Sequence, residues 1–257
     1  MTYKSQTVSA IVITENNALT IERALSSLHW VDELIVFDKG STDGTLAIAR
    51  AFTEKVYFHP SQNKTVVRRD ALSMGACDWL FLVEPDEWVE EMLRHEIDGM
   101  LLNTPANLNG YIVPRILKFQ NQWVNIPIGE EPTRQLRLVR KKQWEIGEDW
   151  NATLTVGGDV SKLDRPLGYA PYRTVEDLFT DVNTRSTVAA YRHLETHGTS
   201  AKDQGTFNLI IKTKLAGWNQ FLLKGGLFKG ITGQTIAMAN TVGTFLKFAK
   251  VQSLTKK

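Results

Sequence analysis

The sequence has one cysteine, no long apolar run and almost no excess charge, and each of these shortages excludes a class of protein. One cysteine among 257 residues rules out an internal disulfide framework and fits a reducing compartment. No uninterrupted apolar run approaches the roughly 18–20 residues of a membrane-spanning helix, and no signal-peptide pattern opens the chain. A formal net charge of +2 argues against a general nucleic-acid binder. We therefore expect a cytoplasmic globular protein that binds no nucleic acid.

The first hundred residues alternate between strand-like and helix-like segments. Apolar, β-branched runs predict buried strands at Val8–Thr14, Glu33–Asp38 and Trp79–Val83, and a short third strand is predicted over residues 55–60. Apolar residues at helical spacing fill the stretches between them. This alternation predicts an α/β fold with a doubly wound, mostly parallel sheet that carries helices on both faces.

The pattern changes after residue 107. The segments "GYIVPRILKF" and "RQLRLVRKKQW" alternate in character and predict a small antiparallel region, and one long helix is predicted over Val175–His197. After Gly198 the chain becomes basic and apolar. We expect a domain over residues 1–200, a boundary near residue 200, and a basic amphipathic helical extension over 201–257.

Polar or acidic residues stand where three of the predicted strands end. The first strand ends at Thr14, the second at Asp38, and the fourth is followed by the sequence "EPDE". Ligands of open α/β sheets bind beyond the carboxyl ends of the strands. The sequence therefore predicts that three distant polar clusters meet at one edge of the sheet.

Two interpretations stay open for each acidic cluster. The loop "DKGSTDGT" is either a well-capped strand-to-helix turn, or it presents Asp38 to a base or sugar. In "VEPDEW", Asp86 or Glu87 either lies in the first turn of the next helix, or Glu84 and Asp86 share a Mg²⁺ or Mn²⁺ ion. The other ligands of such an ion would be waters and substrate phosphates.

These segments resemble a known family. "SAIVITENN", "ELIVFDKGSTDGTLAIA" and "DWLFLVEPDEW" resemble family 2 glycosyltransferases of the GT-A fold, and "GYIVPR", "RQLRLVRK" and "FLLKGGLFKGITG" are similar to the lipopolysaccharide-core β-glucosyltransferases within it. The resemblance implies metal-dependent, inverting transfer from a nucleotide-diphosphate sugar to a lipid-linked or cell-surface glycan. It divides the first domain into a nucleotide-sugar half (1–107) and an acceptor half (108–200).

The resemblance also assigns roles to residues of this sequence. It implies that Asp38 contacts the nucleobase and that Asp86 binds Mg²⁺ or Mn²⁺ directly. The other residues that it places at the donor are Thr14, Asn16, Asp43, Arg68 and Glu84.

Two departures from the family pattern bear on activity. Glu84 stands where the family has a shorter aspartate, and Asn151-Ala152 aligns with a His-Glu pair that includes the general base. Since inverting transfer requires a proton acceptor, Asp149 and Glu148 are the nearest candidates, and Glu130 and Glu131 are further ones. The alternative is a catalytically degenerate protein that binds a nucleotide or a partner. A nucleotidyltransferase is disfavoured, because the first strand–helix turn has no glycine-rich, basic phosphate loop.

The C-terminal segment mixes lysines with large apolar residues, as in "FLLKGGLFKG" and "FLKFAK". This composition suits a helix that lies on an anionic leaflet. It suits equally an amphipathic helix that packs on the protein core. The first interpretation predicts peripheral contact at the inner face of the cytoplasmic membrane, where a lipid-linked acceptor would be.

Overall fold

The structure is a computed structural model, and it describes residues 6–128, 133–148, 152–197 and 206–255. The strands are β1 (Val8–Thr14), β2 (Glu33–Asp38), β3 (Val56–Phe58), β4 (Trp79–Val83), β5 (Glu87–Trp88), β6 (Leu108–Phe119), β7 (Gln122–Val124), β8 (Arg134–Arg140), β9 (Trp144–Ile146), β10 (Leu154–Val156), β11 (Asp159–Lys162) and β12 (Leu167–Tyr169). The α-helices are α1 (Ile21–Ser26), α2 (Thr45–Phe52), α3 (Lys64–Ser73), α4 (Glu91–Asn103), α5 (Val175–His197), α6 (Thr206–Trp218) and α7 (Gly230–Thr255).

The main sheet has the order β3-β2-β1-β4-β8-β6-β12-β5. Its first four strands are parallel, and β1 lies at their centre, where Thr14 pairs with Asp38 of β2 and Val12 pairs with Val83 of β4. β8 and β6 continue the sheet in antiparallel orientation. The predicted α/β class and the change from parallel to antiparallel pairing are both confirmed.

Apolar residues cover both faces of the parallel strands. On one face, Val8, Ala10 and Val12 of β1 belong to a core cluster with residues of α1, α2 and α4. On the other face, Ile11 belongs to a second cluster with residues of α3 and of the β9–β10 hairpin. Burial on both sides explains why β1, β2 and β4 are almost uninterrupted apolar runs.

The helix after β4 starts later than the sequence suggests. Glu87 and Trp88 form the short strand β5, which pairs with Gly168 and Tyr169 of β12, and α4 begins only at Glu91. Neither Asp86 nor Glu87 therefore lies in the first helical turn. The interpretation of "PDE" as helix-capping acids is wrong.

The chain divides into two compact units. The first comprises Met1–Ile116 and Thr133–Pro171, and the second comprises Leu117–Pro132 and Tyr172–Lys257. The division falls within β6, and α5 belongs to the second unit. The boundary predicted near residue 200 lies outside the described residues.

In the second unit, α7 packs against both α5 and α6. The Lys250 ammonium of α7 donates to the Asn183 carbonyl oxygen at 2.7 Å and to the Thr187 hydroxyl at 2.7 Å on α5. A π-helical segment (Asn219–Leu223) and a 3₁₀ turn (Gly226–Phe228) connect α6 to α7. In the part of the chain that is described, none of the helices is both long and apolar enough to cross a bilayer.

Candidate active site

The loops that follow β1 and β2 are interlocked by hydrogen bonds. The Asn16 side-chain oxygen accepts from the Thr42 backbone N–H at 2.8 Å, and the Asn16 N–H donates to the Ser41 hydroxyl at 2.8 Å. The Thr14 hydroxyl donates to the Asn17 side chain at 2.9 Å within the first loop. Thr14 and Asn16 are thus brought to the same edge as the end of β2, as predicted.

Asp43 connects the same two loops through both of its carboxylate oxygens. Oδ2 accepts from the Ala18 N–H at 3.1 Å, and Oδ1 accepts from the backbone N–H and the hydroxyl of Thr45 at the start of α2. Hydrogen bonds from Thr45, and a further one from Ala18, lower the pKa of the Asp43 carboxyl. These contacts give Asp43 a role in loop structure, and its nucleotide contact stays a prediction.

Asp38 ends β2 and is fully buried. Its Oδ2 accepts from the N–H groups of Gly40 and Ser41 at 2.9 and 3.0 Å, an approach that Gly40 permits with a φ of +106°. Its Oδ1 is buried and accepts no hydrogen bond from any described residue. A buried acceptor without a donor is costly, so a donor from a bound molecule would stabilise it.

The residues after β4 form a buried network of charges with two arginines. Glu87 is fully buried, and its Oε1 accepts from Arg137 at 2.7 Å and from Arg115 at 3.1 Å, while its Oε2 accepts from the Glu84 backbone N–H at 2.9 Å. Arg137 also donates to Glu84 at 3.2 Å. Glu87 therefore holds the backbone of the acidic loop at Glu84, and Arg137 connects the side chains of Glu87 and Glu84.

Glu84 receives a second arginine from α3. Arg68 donates to the Glu84 Oε1 at 2.8 Å, so that one carboxylate oxygen of Glu84 contacts both Arg68 and Arg137. Burial opposes ionisation of Glu84, but the positive charges of Arg68 and Arg137 outweigh it and hold its pKa well below the usual range. The Glu84 carboxylate is thus charged and compensated within the protein.

Asp86 is less compensated than Glu84, because the positive charge of Arg115 lowers its pKa but does not outweigh the effects that raise it. Among the described residues, no other side chain donates a hydrogen bond to its carboxyl. Burial raises the pKa of Asp86 to about 7, and the negative charges of Glu87 and Glu84 add to this effect. A cation beside Asp86 would relieve both the burial and the repulsion.

The donor set fits a divalent ion that is shared with a substrate. Within the described residues there is no group of three or more His, Cys, Asp or Glu side chains that could hold a metal by itself. Mg²⁺ in nucleotide sites usually takes one or two carboxylates, with waters and phosphates completing its shell. Asp86 supplies one carboxylate of this kind, so the residues present fit such an ion only together with a phosphate-bearing ligand.

The loop between β9 and β10 contains the nearest candidates for a proton acceptor, and α3 holds it at three points. The Thr65 hydroxyl donates to the Gly147 carbonyl at 3.1 Å, Arg69 pairs with Glu148 at 2.8 Å, and Arg68 donates to the Ala152 carbonyl at 3.1 Å. The Glu148 side chain is 76% exposed. The other near candidate, Asp149, lies outside the described residues, as do Asn151, Glu130 and Glu131.

Ala152 has an unusual backbone conformation for an alanine. Its φ is +47°, in the left-handed region, and the residue is fully buried. A non-glycine residue in this region is strained by roughly 1–3 kcal/mol and requires support from its surroundings. The hydrogen bond from Arg68 to its carbonyl supplies part of this support, and it connects the loop to Glu84 through a single side chain.

The sequence did not predict the buried ion pairs of the site. Glu87 and Arg115 were not assigned to the site, and Arg137 was not expected to be buried. Arg115 and Arg137 lie on antiparallel strands whose alternation suggests that charged residues face outward. One sequence signal for their burial is that Arg115 and Arg137 each have apolar neighbours on both sides within a strand. A buried arginine requires an acidic partner. The partner that the structure shows, Glu87, lies 28 residues from Arg115 and 50 residues from Arg137 along the chain, so local sequence does not reveal the pairing.

Comparison with known proteins places this site in a family. The family model described as "Glycosyl transferase family 2" matches residues 9–152, which include β2, β4, all of β1 except its first residue, and all the site residues above. An uncharacterized glycosyltransferase of Rickettsia conorii is 34% identical over 273 residues, which cover 98% of this chain and 92% of that protein. The lipopolysaccharide core biosynthesis glycosyltransferase LpsC of Rhizobium meliloti is 24% identical over 95% of this chain and 91% of its own.

A solved structure supports the same conclusion at the level of the fold. The mannosyltransferase PcManGT from Pyrobaculum calidifontis, solved in complex with GDP-Man and Mn²⁺, aligns with a TM-score of 0.55 at 16% sequence identity. The alignment covers 100% of this chain and 89% of that one. The fold is the predicted GT-A fold, and because the family model spans more than half of the sequence, this chain belongs to glycosyltransferase family 2.

Proposed function

We propose that this glycosyltransferase moves a sugar, with inversion and with the help of Mg²⁺ or Mn²⁺, from a nucleotide-diphosphate sugar to a lipid-linked or cell-surface glycan of the lipopolysaccharide-core type. Its resemblance to LpsC, whose name places it in lipopolysaccharide core biosynthesis, supports this acceptor class. The GDP-Man and Mn²⁺ of the mannosyltransferase PcManGT support the donor class and the metal.

The observation that carries the donor proposal is the Asp38 carboxylate. Its Oδ2 is fixed by two backbone N–H groups, and its buried Oδ1 lacks a donor among the described residues. A ring or amino N–H of a nucleobase would satisfy this atom. Thr14, Asn16 and Asp43 would then shape the two loops that surround the nucleoside.

The acidic loop after β4 supports the diphosphate end of the donor. Asp86 would hold the divalent ion, and when bound that ion would neutralise the negative charge of the departing nucleoside diphosphate. Arg68 and Glu84 lie beside it as a compensated pair 2.8 Å apart. Glu87 holds the loop through the Glu84 backbone N–H, and Arg137 contacts both Glu87 and Glu84.

The proton of the acceptor hydroxyl needs a base, and we assign this role to the loop between β9 and β10. Asp149 and Glu148 are the candidates. Glu148 can act only if it leaves its exposed pair with Arg69. Loss of transfer in Asp149→Asn or Glu148→Gln, with donor binding retained, would identify the base. Unchanged turnover would remove that residue from consideration.

A second candidate function is supported by one feature of the same loop. Ala152, which aligns with part of the family's His-Glu pair, is buried, and its carbonyl is held by Arg68. A chain of this kind could bind a nucleotide or a partner protein without transferring sugar. Hydrolysis or transfer of a bound donor would exclude it.

The direct test of the donor site is a calorimetric screen of UDP-, GDP- and dTDP-sugars with and without Mn²⁺. We expect one nucleotide class to bind in a metal-dependent way. We expect Asp38→Asn and Asp86→Asn each to weaken that binding at least tenfold. If no nucleotide sugar binds under any condition, both the transferase proposal and the nucleotide-binding alternative are wrong.

The site of action that we propose is the cytoplasmic face of the membrane, where a lipid-linked acceptor is accessible. The lysine-rich, apolar C-terminal segment supports peripheral contact with an anionic leaflet.

A further inference from the structure

Large apolar side chains are concentrated on the surface of residues 215–231, which we call the apolar tip. The tip comprises the end of α6, the π-helical segment, the 3₁₀ turn and the start of α7. Seven large apolar side chains of the described residues are more than 60% exposed, and five of them lie within these 17 residues. The five are Leu215, Trp218, Leu223, Phe228 and Ile231.

The tip is a packed structure rather than a loose connection. Gly225 adopts a φ of +71°, and a Cβ at the buried Gly226 would lie 2.6 Å from the Ala237 Cβ. Asn240 of α7 donates to the Gln220 side chain at 3.2 Å and to the Pro127 carbonyl at 2.8 Å. The backbone of the tip is therefore built into the second unit, while its apolar side chains point away from the unit's own core.

The C-terminal sequence that contains the tip carries charge of a single sign. Residues 204–257 contain eight lysines and no Asp or Glu, so the rest of the chain carries 22 basic and 28 acidic residues. Lys224 and Lys229 lie within the tip, and Lys214 directly precedes it. An apolar surface with lysines and a tryptophan at its margin matches the interface of a bilayer, where acyl chains lie beneath anionic headgroups.

Helical geometry at the tip is also unusual. The five residues Asn219–Leu223 form a π-helical turn. Such turns are rare in proteins, and those that occur are often found at functional sites. The wider turn places Leu222 and Leu223 on the surface, 41% and 75% exposed. This apolar area stays in contact with water in the folded chain. Covering it with a partner would therefore contribute favourably to the free energy of binding.

We propose that the apolar tip is the surface by which this protein docks on an anionic membrane, with Trp218, Phe228 and Ile231 inserted at the interface and Lys214 and Lys224 on the headgroups. This inference rests on the proposed function in one respect, because a lipid-linked acceptor is the reason for docking. The docking itself depends only on the surface. A second copy of the chain is the competing occupant, and the test below separates the two.

The test is vesicle flotation of the full chain with phosphatidylcholine vesicles, with and without phosphatidylglycerol. Three double variants are compared with the wild type. Phe228→Ser with Ile231→Ser removes apolar anchors, and Lys214→Gln with Lys224→Gln removes charge. Met92→Ser with Leu102→Ser is the matched control, because it removes two exposed apolar side chains of α4 in the first unit, 56% and 47% exposed.

The wild type and the control are expected to float with vesicles that contain phosphatidylglycerol. The apolar variant should bind more than tenfold more weakly. Because each lysine near an anionic surface contributes about 1 kcal/mol, the loss of both lysines in the charge variant should lower the partition coefficient roughly 30-fold. Wild-type protein that does not float, or an apolar variant that floats like the control, would overturn the proposal.

Sedimentation and nucleotide binding complete the test. If the wild type does not float and sediments as an oligomer that the apolar variant dissociates, the tip is an interface between copies and the membrane proposal is wrong. Circular dichroism checks that each variant is folded. A wild type that floats but binds no nucleotide sugar contradicts the proposed function and leaves the docking proposal intact. A wild type that binds a nucleotide sugar but does not float contradicts the docking proposal and leaves the proposed function intact.

Discussion

Replacing Glu87 by glutamine tests whether the buried network beneath the acidic loop supports the fold of the first unit. The change keeps the size of the side chain and removes its charge. Glu87 is fully buried, and the two arginines that it contacts are 8% and 2% exposed. Glutamine still offers one acceptor oxygen, and Arg137 still has Glu84 as a partner.

The expected magnitude follows from what remains buried. Removing one member of a buried ion pair typically costs about 3–5 kcal/mol, because the other charge is left without compensation. Since Glu84 stays in contact with Arg137 at 3.2 Å, we expect the lower end, about 3 kcal/mol. For a chain of this size, each kcal/mol lowers the melting temperature by roughly 2–4 °C, so Glu87→Gln should melt about 6–12 °C lower.

The matched control is Glu148→Gln, the same substitution at an arginine-paired glutamate on the surface. Its carboxylate lies 2.8 Å from Arg69, but the side chain is 76% exposed. Exposed pairs contribute less than about 1 kcal/mol, so the melting temperature should fall by no more than about 4 °C. The assay is scanning calorimetry, which resolves separate transitions if the two units unfold independently. Equal, small shifts in the two variants would refute the reasoning.

Three further predictions concern the donor edge and the parallel sheet. Asp38→Asn should weaken nucleotide binding at least tenfold in calorimetry, because the amide turns an acceptor toward the base into a donor; unchanged affinity would contradict the role of Asp38. Asn63→Ala removes the side chain that accepts from the Thr65 and Val66 N–H groups at the start of α3, and should lower the free energy of unfolding by about 1 kcal/mol in urea titration. Burial opposes ionisation of Glu33, but the Ala76 N–H and Lys55 lower its pKa overall. Its contribution to stability is therefore complete above the unfolded carboxyl pKa of about 4.3 and is lost as the pH falls below it. Glu33→Gln should flatten the acid side of the melting-temperature profile, and a profile that matches the wild type would contradict the linkage.

Local pattern was sufficient for the parallel half of the fold. β1, β2 and β4 are buried on both faces, so their apolar runs coincide with the strands, and α5 follows its helical spacing from Val175 to His197. The meeting of three strand ends at one edge could also be predicted, because parallel strands present their carboxyl ends together. The hydrogen bonds between Asn16 and the β2 loop show this meeting directly.

Tertiary contacts decided the rest, and local pattern does not contain them. Glu87 and Trp88 have helix-compatible neighbours, yet they form β5 because β12, some 80 residues later, pairs with them. The tertiary structure explains the longer side chain of Glu84, because its carboxylate contacts Arg68 of α3 and Arg137 of β8. In the sequence Glu84 is only a departure from the family pattern, whereas in the structure its charge is compensated by two arginines.

The measurement that tests the central claim most directly is metal-dependent turnover of the donor. The purified chain would be incubated with each nucleotide sugar that binds, with and without Mn²⁺, and release of nucleoside diphosphate would be followed. We predict release that requires the metal, that is lost in Asp86→Asn, and that persists in Asp78→Asn, a control whose carboxylate accepts from Thr7 at the opposite end of β4. Metal-dependent binding without any release of nucleoside diphosphate, in the presence or absence of a lipid-linked glycan acceptor, would contradict the claim that this chain catalyses sugar transfer.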